Sequence, residues 1–142
     1  MRSLFAAVGL SLAGLLISAG NTAANPATTI KDATGATFTG DATAGEKTFR
    51  QCVTCHKMEA GKHGIGPSLN GVIGKKAGSV TGYNYSGQMK KSGIVWNDQN
   101  LADYLENPRK KVPGTKMTYA GLRKPQDRAN VIAYIKKAGG AK

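Results

Sequence analysis

Apolar and polar positions fall into three helical patterns along this chain, separated by long stretches with no period. In "DATAGEKTFRQC", Gly45, Phe49 and Cys52 recur on one helical face, with Asp41 placed as an N-cap and Glu46 in an early turn. "WNDQNLADYLENP" repeats the design: Asn97 is a cap candidate, Leu101, Tyr104 and Leu105 share a face, and Pro108 ends the helix. In "KPQDRANVIAYIKKAGG" a proline sits near the first turn and Asp127 comes early. Val131, Ile132 and Ile135 are the buried positions, Lys136 and Lys137 lie late, and Gly139-Gly140 stop it. Between these segments, glycines and a proline deny regular structure over most of 61–82, and Pro-Gly marks 112–121 as a loop. Residues 25–40, "NPATTIKDATGATFTG", read as a flexible linker. No strong strand alternation and no internal repeat is evident. The expected fold is a small all-α domain over 41–142, with three main helices and long irregular loops.

The first residues have a different character. Met1-Arg2-Ser3 is a short positive start, Leu4–Ala19 is uncharged and mostly apolar, and "SAGNTAAN" supplies small residues. This is the layout of a signal peptide over 1–24, cut after Ala24 in preference to Gly20. The alternative is an uncleaved anchor, but this stretch of 16 residues falls short of the ~20 that span a bilayer. Either way the folded part is exported. That demotes nucleic acid as a partner and places the cysteines where disulfides persist.

Charge and core size change the picture further. Lys and Arg number 20 against 8 Asp and Glu, a formal charge of +12; without Arg2 it is still +11. Such a field favours acidic partners. Three Phe and one Trp make a meagre core for a domain with this much loop, and long loops in a compact domain usually serve a function. A large apolar cofactor wrapped by the loops would answer both points.

The chemistry is concentrated in "FRQCVTCHKMEAG", which holds both cysteines, Cys52 and Cys55, followed directly by His56. A disulfide between them closes a tiny loop and restrains little. A redox dithiol of the thioredoxin kind needs neighbouring βαβ structure, which is lacking. A zinc site needs four ligands, and only His56 and His63 remain. Covalent attachment of a c-type haem fits best. Thiols three residues apart share a helical face, can add to the two vinyl groups of a porphyrin, and leave His56 to turn onto the iron. For the sixth iron position the residues leave Met117 and Met89 open. Met58 is too close to His56 to reach the other face of the ring, and His63 reads as an exposed loop histidine.

From about Asp41 to Ala138 the chain resembles class I cytochrome c, in the mitochondrial and bacterial cytochrome c2 branch. The matching pieces, in family order, are "AGEKTFRQCVTCH", "GIGPSLNGVIGKKAG", "GYNYSG", "GIVW", "YLENPRKKVPGTKMTYAGL" and "RANVIAYIKKA". The resemblance implies one covalently attached haem c on Cys52 and Cys55, with His56 and Met117 as iron ligands cycling Fe2+/Fe3+. It implies that Pro67 accepts the NH of His56, that Tyr85 and Trp96 bond a buried propionate, that Thr115 is a second partner on the methionine loop, and that Tyr104 lies near the methionine sulfur. Gly45, Phe49 and Tyr134 match the crossing of the first and last helices. Three positions depart from the pattern: Lys75 stands where an arginine near the propionates is common, Met89 where an asparagine is common, and Tyr119 where a phenylalanine is common.

A His/Met-ligated iron has no free site for substrate, so the expected role is a soluble electron shuttle and not an enzyme. The alternatives are a peroxidase or gas sensor, if Met117 is labile, and a membrane-anchored subunit of a redox complex. Lys57, Lys62, Lys75, Lys76, Lys116, Arg123 and Lys124 would steer the protein onto acidic faces of redox partners. Candidates are a bc1-type complex, a cytochrome oxidase, a photosynthetic reaction centre or a periplasmic dehydrogenase. The expected setting is a monomer in a bacterial periplasm, touching membrane only transiently or through an uncleaved N-terminus.

Overall fold

The computed structural model describes residues 27–140, and the leader over 1–24 lies outside them. Helix α1 runs Ala42–Phe49. The Asp41 carboxylate accepts from Ala44 N at 2.6 Å, satisfying one of the free amides of the first turn. Past Phe49 the chain continues as turns. Cys52 N donates to Phe49 O at 2.7 Å, and His56 N donates to Cys52 O at 2.9 Å. Cys52, Cys55 and His56 are therefore presented by consecutive turns that extend α1.

The other two expected helices are present, and two short ones that the sequence reading did not anticipate accompany them. Helix α2 is Gly87–Lys91, one short turn capped by Ser86. Helix α3 is Asp98–Glu106, and the Asn97 side chain accepts from Asn100 N at 2.7 Å. Asn107, preceding a proline, is forced into extended backbone (φ −156°, ψ 92°) and so ends α3. Its side chain then caps α4, Pro108–Lys111, by accepting from Lys110 N at 3.0 Å. Pro108 thus stops one helix and begins the next. Helix α5, Pro125–Ala138, opens on its proline and has Asp127 in its first turn.

Helices α1 and α5 cross at very short range. A Cβ on Gly45 would overlap the backbone carbonyl of Asn130 and lie 2.9 Å from the Cβ of Tyr134. Next to this contact the rings of Phe49 and Tyr134 pack at 5.0 Å and 46°. Helix α3 is joined to α5 by a buried ion pair, Lys136 Nζ to Asp98 Oδ2 at 3.0 Å. Arg128, almost fully buried, donates through Nη1 to the carbonyls of Leu122 and Arg123 at 2.9 and 2.8 Å. It thereby holds the chain that follows the 112–121 loop.

Residues 27–40 depart from the flexible linker expected over 25–40. Strand β1, Thr29–Lys31, pairs antiparallel with β2, Thr37–Thr39, in the register Thr29–Thr39, Ile30–Phe38 and Lys31–Thr37. Asp32 makes the turn: its Oδ1 accepts from Thr34 N and Ala36 N at 2.9 and 3.0 Å, and Gly35 takes φ +86°. Ile30 is 1% exposed and belongs to the core. The Gln99 carboxamide on α3 bonds both backbone groups of Lys31, at 2.8 and 2.9 Å. Gln126 on α5 donates to Thr39 O at 2.8 Å. The folded body therefore begins before Asp41, and the helices carry a two-stranded sheet on α3 and α5. Three-residue strands are too short to register as alternation, so only the Asp–Gly turn signalled them.

Candidate functional site

The turns after α1, the loop over 61–82, α2, α3 and the 112–121 loop surround one cavity of about 420 Å³. Nine of the expected site residues line it: Cys52, Cys55, His56, Pro67, Tyr85, Trp96, Tyr104, Thr115 and Met117. Lys75 does not. Its side chain is exposed, and its backbone carbonyl accepts from Trp96 N at 2.9 Å, so it fixes the tryptophan's segment through the main chain. Met89 lines the cavity too and is buried.

His56 is the most constrained member. Its Nδ1 donates to the carbonyl of Pro67 at 2.8 Å, which fixes the tautomer and leaves the Nε2 lone pair available. Burial lowers its pKa, partly offset by that carbonyl, so the ring is held neutral, as a metal ligand must be. Gly66 makes room for it, because a Cβ there would run into the imidazole. Both cysteines are free and half-buried. Burial, then its neighbour Cys55, pushes the Cys52 thiol up to about 11. Among the described residues no three His, Cys, Asp or Glu gather into a metal cluster, so a zinc-type site has no ligand set here.

The 112–121 loop is held at both ends. Thr115 Oγ1 is 2.6 Å from the Tyr104 hydroxyl and accepts from Met117 N at 3.3 Å. Leu122 N donates to Leu105 O at 2.7 Å. Lys116 Nζ donates to Asn84 O at 2.7 Å, joining the loop to the segment before Tyr85. Trp96 packs on Tyr104 at 5.1 Å between ring centroids. Burial raises the Tyr104 hydroxyl's pKa, against the Thr115 bond, and the phenol stays protonated.

The residues fit a large, flat, apolar resident. The aromatic side chains that would fill an ordinary core, Trp96, Tyr104 and Tyr85, face the cavity instead. A space of about 420 Å³ walled mainly by apolar side chains is far larger than the voids of a close-packed core, so a resident group belongs in it. Two thiols, a neutral imidazole with a free nitrogen and two thioethers, Met89 and Met117, line the same apolar space, a donor set suited to a covalently held haem iron.

Sequence reasoning passed over three structural contributors. Gly66 was hidden in a glycine-rich run where only the proline drew notice. Gln51 borders the cavity beside Cys52. His63, read as an exposed loop residue, is half-buried: its Nδ1 accepts from Ser68 N and its Nε2 donates to Thr81 O, both at 3.0 Å. It is a strut between two loops and does not line the cavity.

Comparison with known proteins agrees with this geometry. The cytochrome c family model matches residues 42–139. Cytochrome c2 of Rhodomicrobium vannielii is 53% identical over 97 residues, 68% of this chain and 78% of that protein. Cytochrome c2 of Rhodoblastus acidophilus is 49% identical over 106 residues, 72% of this chain and 99% of that one. Among solved structures, cytochrome cH from Methylobacterium extorquens superposes with a TM-score of 0.66 at 48% identity, covering 69% of this chain and 99% of its own. The hairpin over 29–39 lies outside the residues that the family model matches.

Proposed function

From the premise that the chain belongs to the cytochrome c family, we propose that it shuttles single electrons between periplasmic redox complexes through an iron ligated by His56 and Met117. The protein is a c-type cytochrome that acts in electron transfer and carries covalently bound haem c. The haem supplies a one-electron iron couple. What remains is how this chain's residues make use of it.

The observation that carries the ligand reading is the convergence of Cys52, Cys55, His56, Pro67 and Met117 on one cavity. Cys52 and Cys55 would tether the group through thioether bonds, which suits an exported protein because the cofactor cannot be lost. His56 would ligate through Nε2, since Nδ1 is committed to Pro67. That hydrogen bond fixes the ring's orientation and raises its basicity. Met117 would supply the second iron ligand from a loop tied down at Thr115, Lys116 and Leu122. Methionine ligation raises the potential, and the apolar wall of Trp96, Tyr104, Leu101 and Leu105 excludes water and adjusts it further. Tyr85 and Trp96, which line the cavity, would donate to a propionate of the bound group.

Partners follow from charge. Lys57, Lys62, Lys75, Lys76, Lys116, Arg123 and Lys124 are all exposed. Three of the chain's acids are engaged internally: Asp98 with Lys136, Asp103 with Lys111 and Glu106 with Arg128. The outward field is therefore strongly positive and suits brief encounters with acidic faces of respiratory or photosynthetic complexes. Among the described residues no helix is long and apolar enough to cross a membrane. Export rests on the leader over 1–24, and we place the haem domain in a bacterial periplasm on that basis.

The test is an absorption spectrum of the exported protein, oxidised and reduced, for wild type and Met117→Ala. Covalent haem with a weak far-red sulfur–iron band that vanishes in Met117→Ala is the expected result. Haem without that band in the wild type removes Met117 from the iron.

A further inference from the structure

We propose that the Tyr119 hydroxyl and the Gln51 carboxamide form a latch across the mouth of the cavity, and that this latch sets how often the methionine loop opens. The two side chains come from regions far apart in sequence. Tyr119 lies two residues after Met117, and Gln51 immediately precedes Cys52. Both border the cavity, and Tyr119 Oη donates to Gln51 Oε1 at 2.8 Å. The bond thus joins the loop that carries Met117 to the turns that carry Cys52, Cys55 and His56.

The importance of this bond comes from what the neighbouring residues lack. Among the described residues, the run 118–121 makes no backbone hydrogen bond, and the Tyr119–Gln51 bond is its sole side-chain hydrogen bond. On the other side of Met117 the loop is held three times over, by Thr115 twice and by Lys116. At the far end of the run Gly121 fits closely on the Glu106 backbone, and Leu122 N then donates to Leu105 O, so the loop ends firmly. A segment with few bonds of its own opens at low free energy. Between two fixed ends, 118–120 is the part free to swing, and a single tether restrains it. A phenylalanine at 119 would keep the ring's packing and have no tether.

The consequence concerns the choice between electron transfer and ligand chemistry. While the loop stays closed, Met117 remains where the family resemblance puts it and an outside ligand has no access. When the loop opens, a small donor can enter. This part of the inference rests on Met117 being the iron ligand. The latch would make the chain a more exclusive electron carrier by keeping its open population low.

The experiment compares haem-loaded wild type, Tyr119→Phe, Gln51→Ala and the double variant. Amide hydrogen exchange is read at Thr115, Met117 and Leu122, which donate at the two ends of the loop, with α5 amides as reference. Losing one exposed neutral hydrogen bond should raise loop exchange about three- to tenfold while α5 is unchanged. The double variant should add nothing to either single, because both remove the same bond. In parallel, imidazole is added to the ferric proteins at concentrations where loop opening is the slow step, and loss of the far-red sulfur–iron band is timed. That rate should rise by the same factor. Unchanged exchange in both single variants, or single effects that multiply in the double, overturns the latch. A wild type with no sulfur–iron band overturns the Met117 assignment instead, and the exchange result still decides the latch.

Discussion

The close crossing of α1 and α5 makes an opposed pair of forces measurable in one substitution, Gly45→Ala. Inside an exposed helix, replacing glycine by alanine stabilises by about 1 kcal/mol, because glycine loses more backbone freedom on folding. Here the added methyl overlaps the backbone carbonyl of Asn130 and lies 2.9 Å from Tyr134 Cβ, whereas carbon atoms prefer roughly 3.5–4.0 Å. The obstacle is helix backbone, so no rotamer change relieves it. The helices must separate, loosening Phe49 against Tyr134. Overpacking of this kind costs up to about 3 kcal/mol, and after the propensity gain of about 1 kcal/mol the net loss should be near 2 kcal/mol. Guanidinium denaturation of the ferric haem-loaded protein reads it directly, as a lower midpoint at unchanged slope. Gly87→Ala is the control: it begins α2, and a Cβ there meets nothing within 4 Å, so it should stay within about 0.5 kcal/mol of wild type. A Gly45→Ala protein more stable than wild type would mean that propensity outweighs contact, and the account of the crossing would be wrong.

Ile30→Ala should cost about 2–4 kcal/mol in the same assay, because Ile30 is a core residue of the hairpin; no change would restore the loose linker. For Asp103, burial raises the carboxyl's pKa, but hydrogen bonds from Lys111 at 2.9 Å and Gln99 at 2.8 Å outweigh it and hold the group below its ordinary value. That contribution is therefore complete above a pH of roughly 4 and is lost as pH falls through the lowered folded value. With Asp103 40% exposed it is worth at most about 0.5 kcal/mol. Asp103→Asn should be less stable than wild type at neutral pH and equal to it near pH 2, roughly two units below the ordinary carboxylate value. Electron transfer to an acidic partner, followed by stopped flow, should slow severalfold as ionic strength rises from about 0.01 to 0.2 M; a flat profile would remove charge steering from the mechanism.

Much of the fold was readable because its signals are local. Asp41 and Asn97 cap the helices they were expected to cap, and Pro108 and Pro125 stand at helix boundaries. The hairpin was not readable, since its stability comes from Ile30 meeting the core and from Gln99 and Gln126 far along the chain. The role of His63 was hidden for the same reason: its partner Thr81 belongs to a different turn of the loop. The site divides along the same line. Cys52, Cys55 and His56 are legible by spacing alone. By contrast, nothing local separated Met117 from Met89, and both line the cavity. The resemblance to a family decided between them, and it also put Lys75 near the site, where the fold exposes its side chain instead.

Core and site are one object in this protein, and that explains why so few apolar residues suffice. Phe49, Val131 and Ile132 pack on one another, but Trp96, Tyr104, Leu101, Leu105 and Ile135 spend a face on the cavity. Their burial is completed by whatever fills that space. A substitution that weakens the site should therefore also weaken the fold, and the loops that looked excessive for a domain of this size form its walls. The same economy bears on electron transfer. Walls that are also core are packed to resist rearrangement, so the side chains proposed to hold the iron would keep their places as its charge changed. The thinly tethered run at 118–120 is the exception, and it lies beside Met117, where a small loss of restraint would matter most.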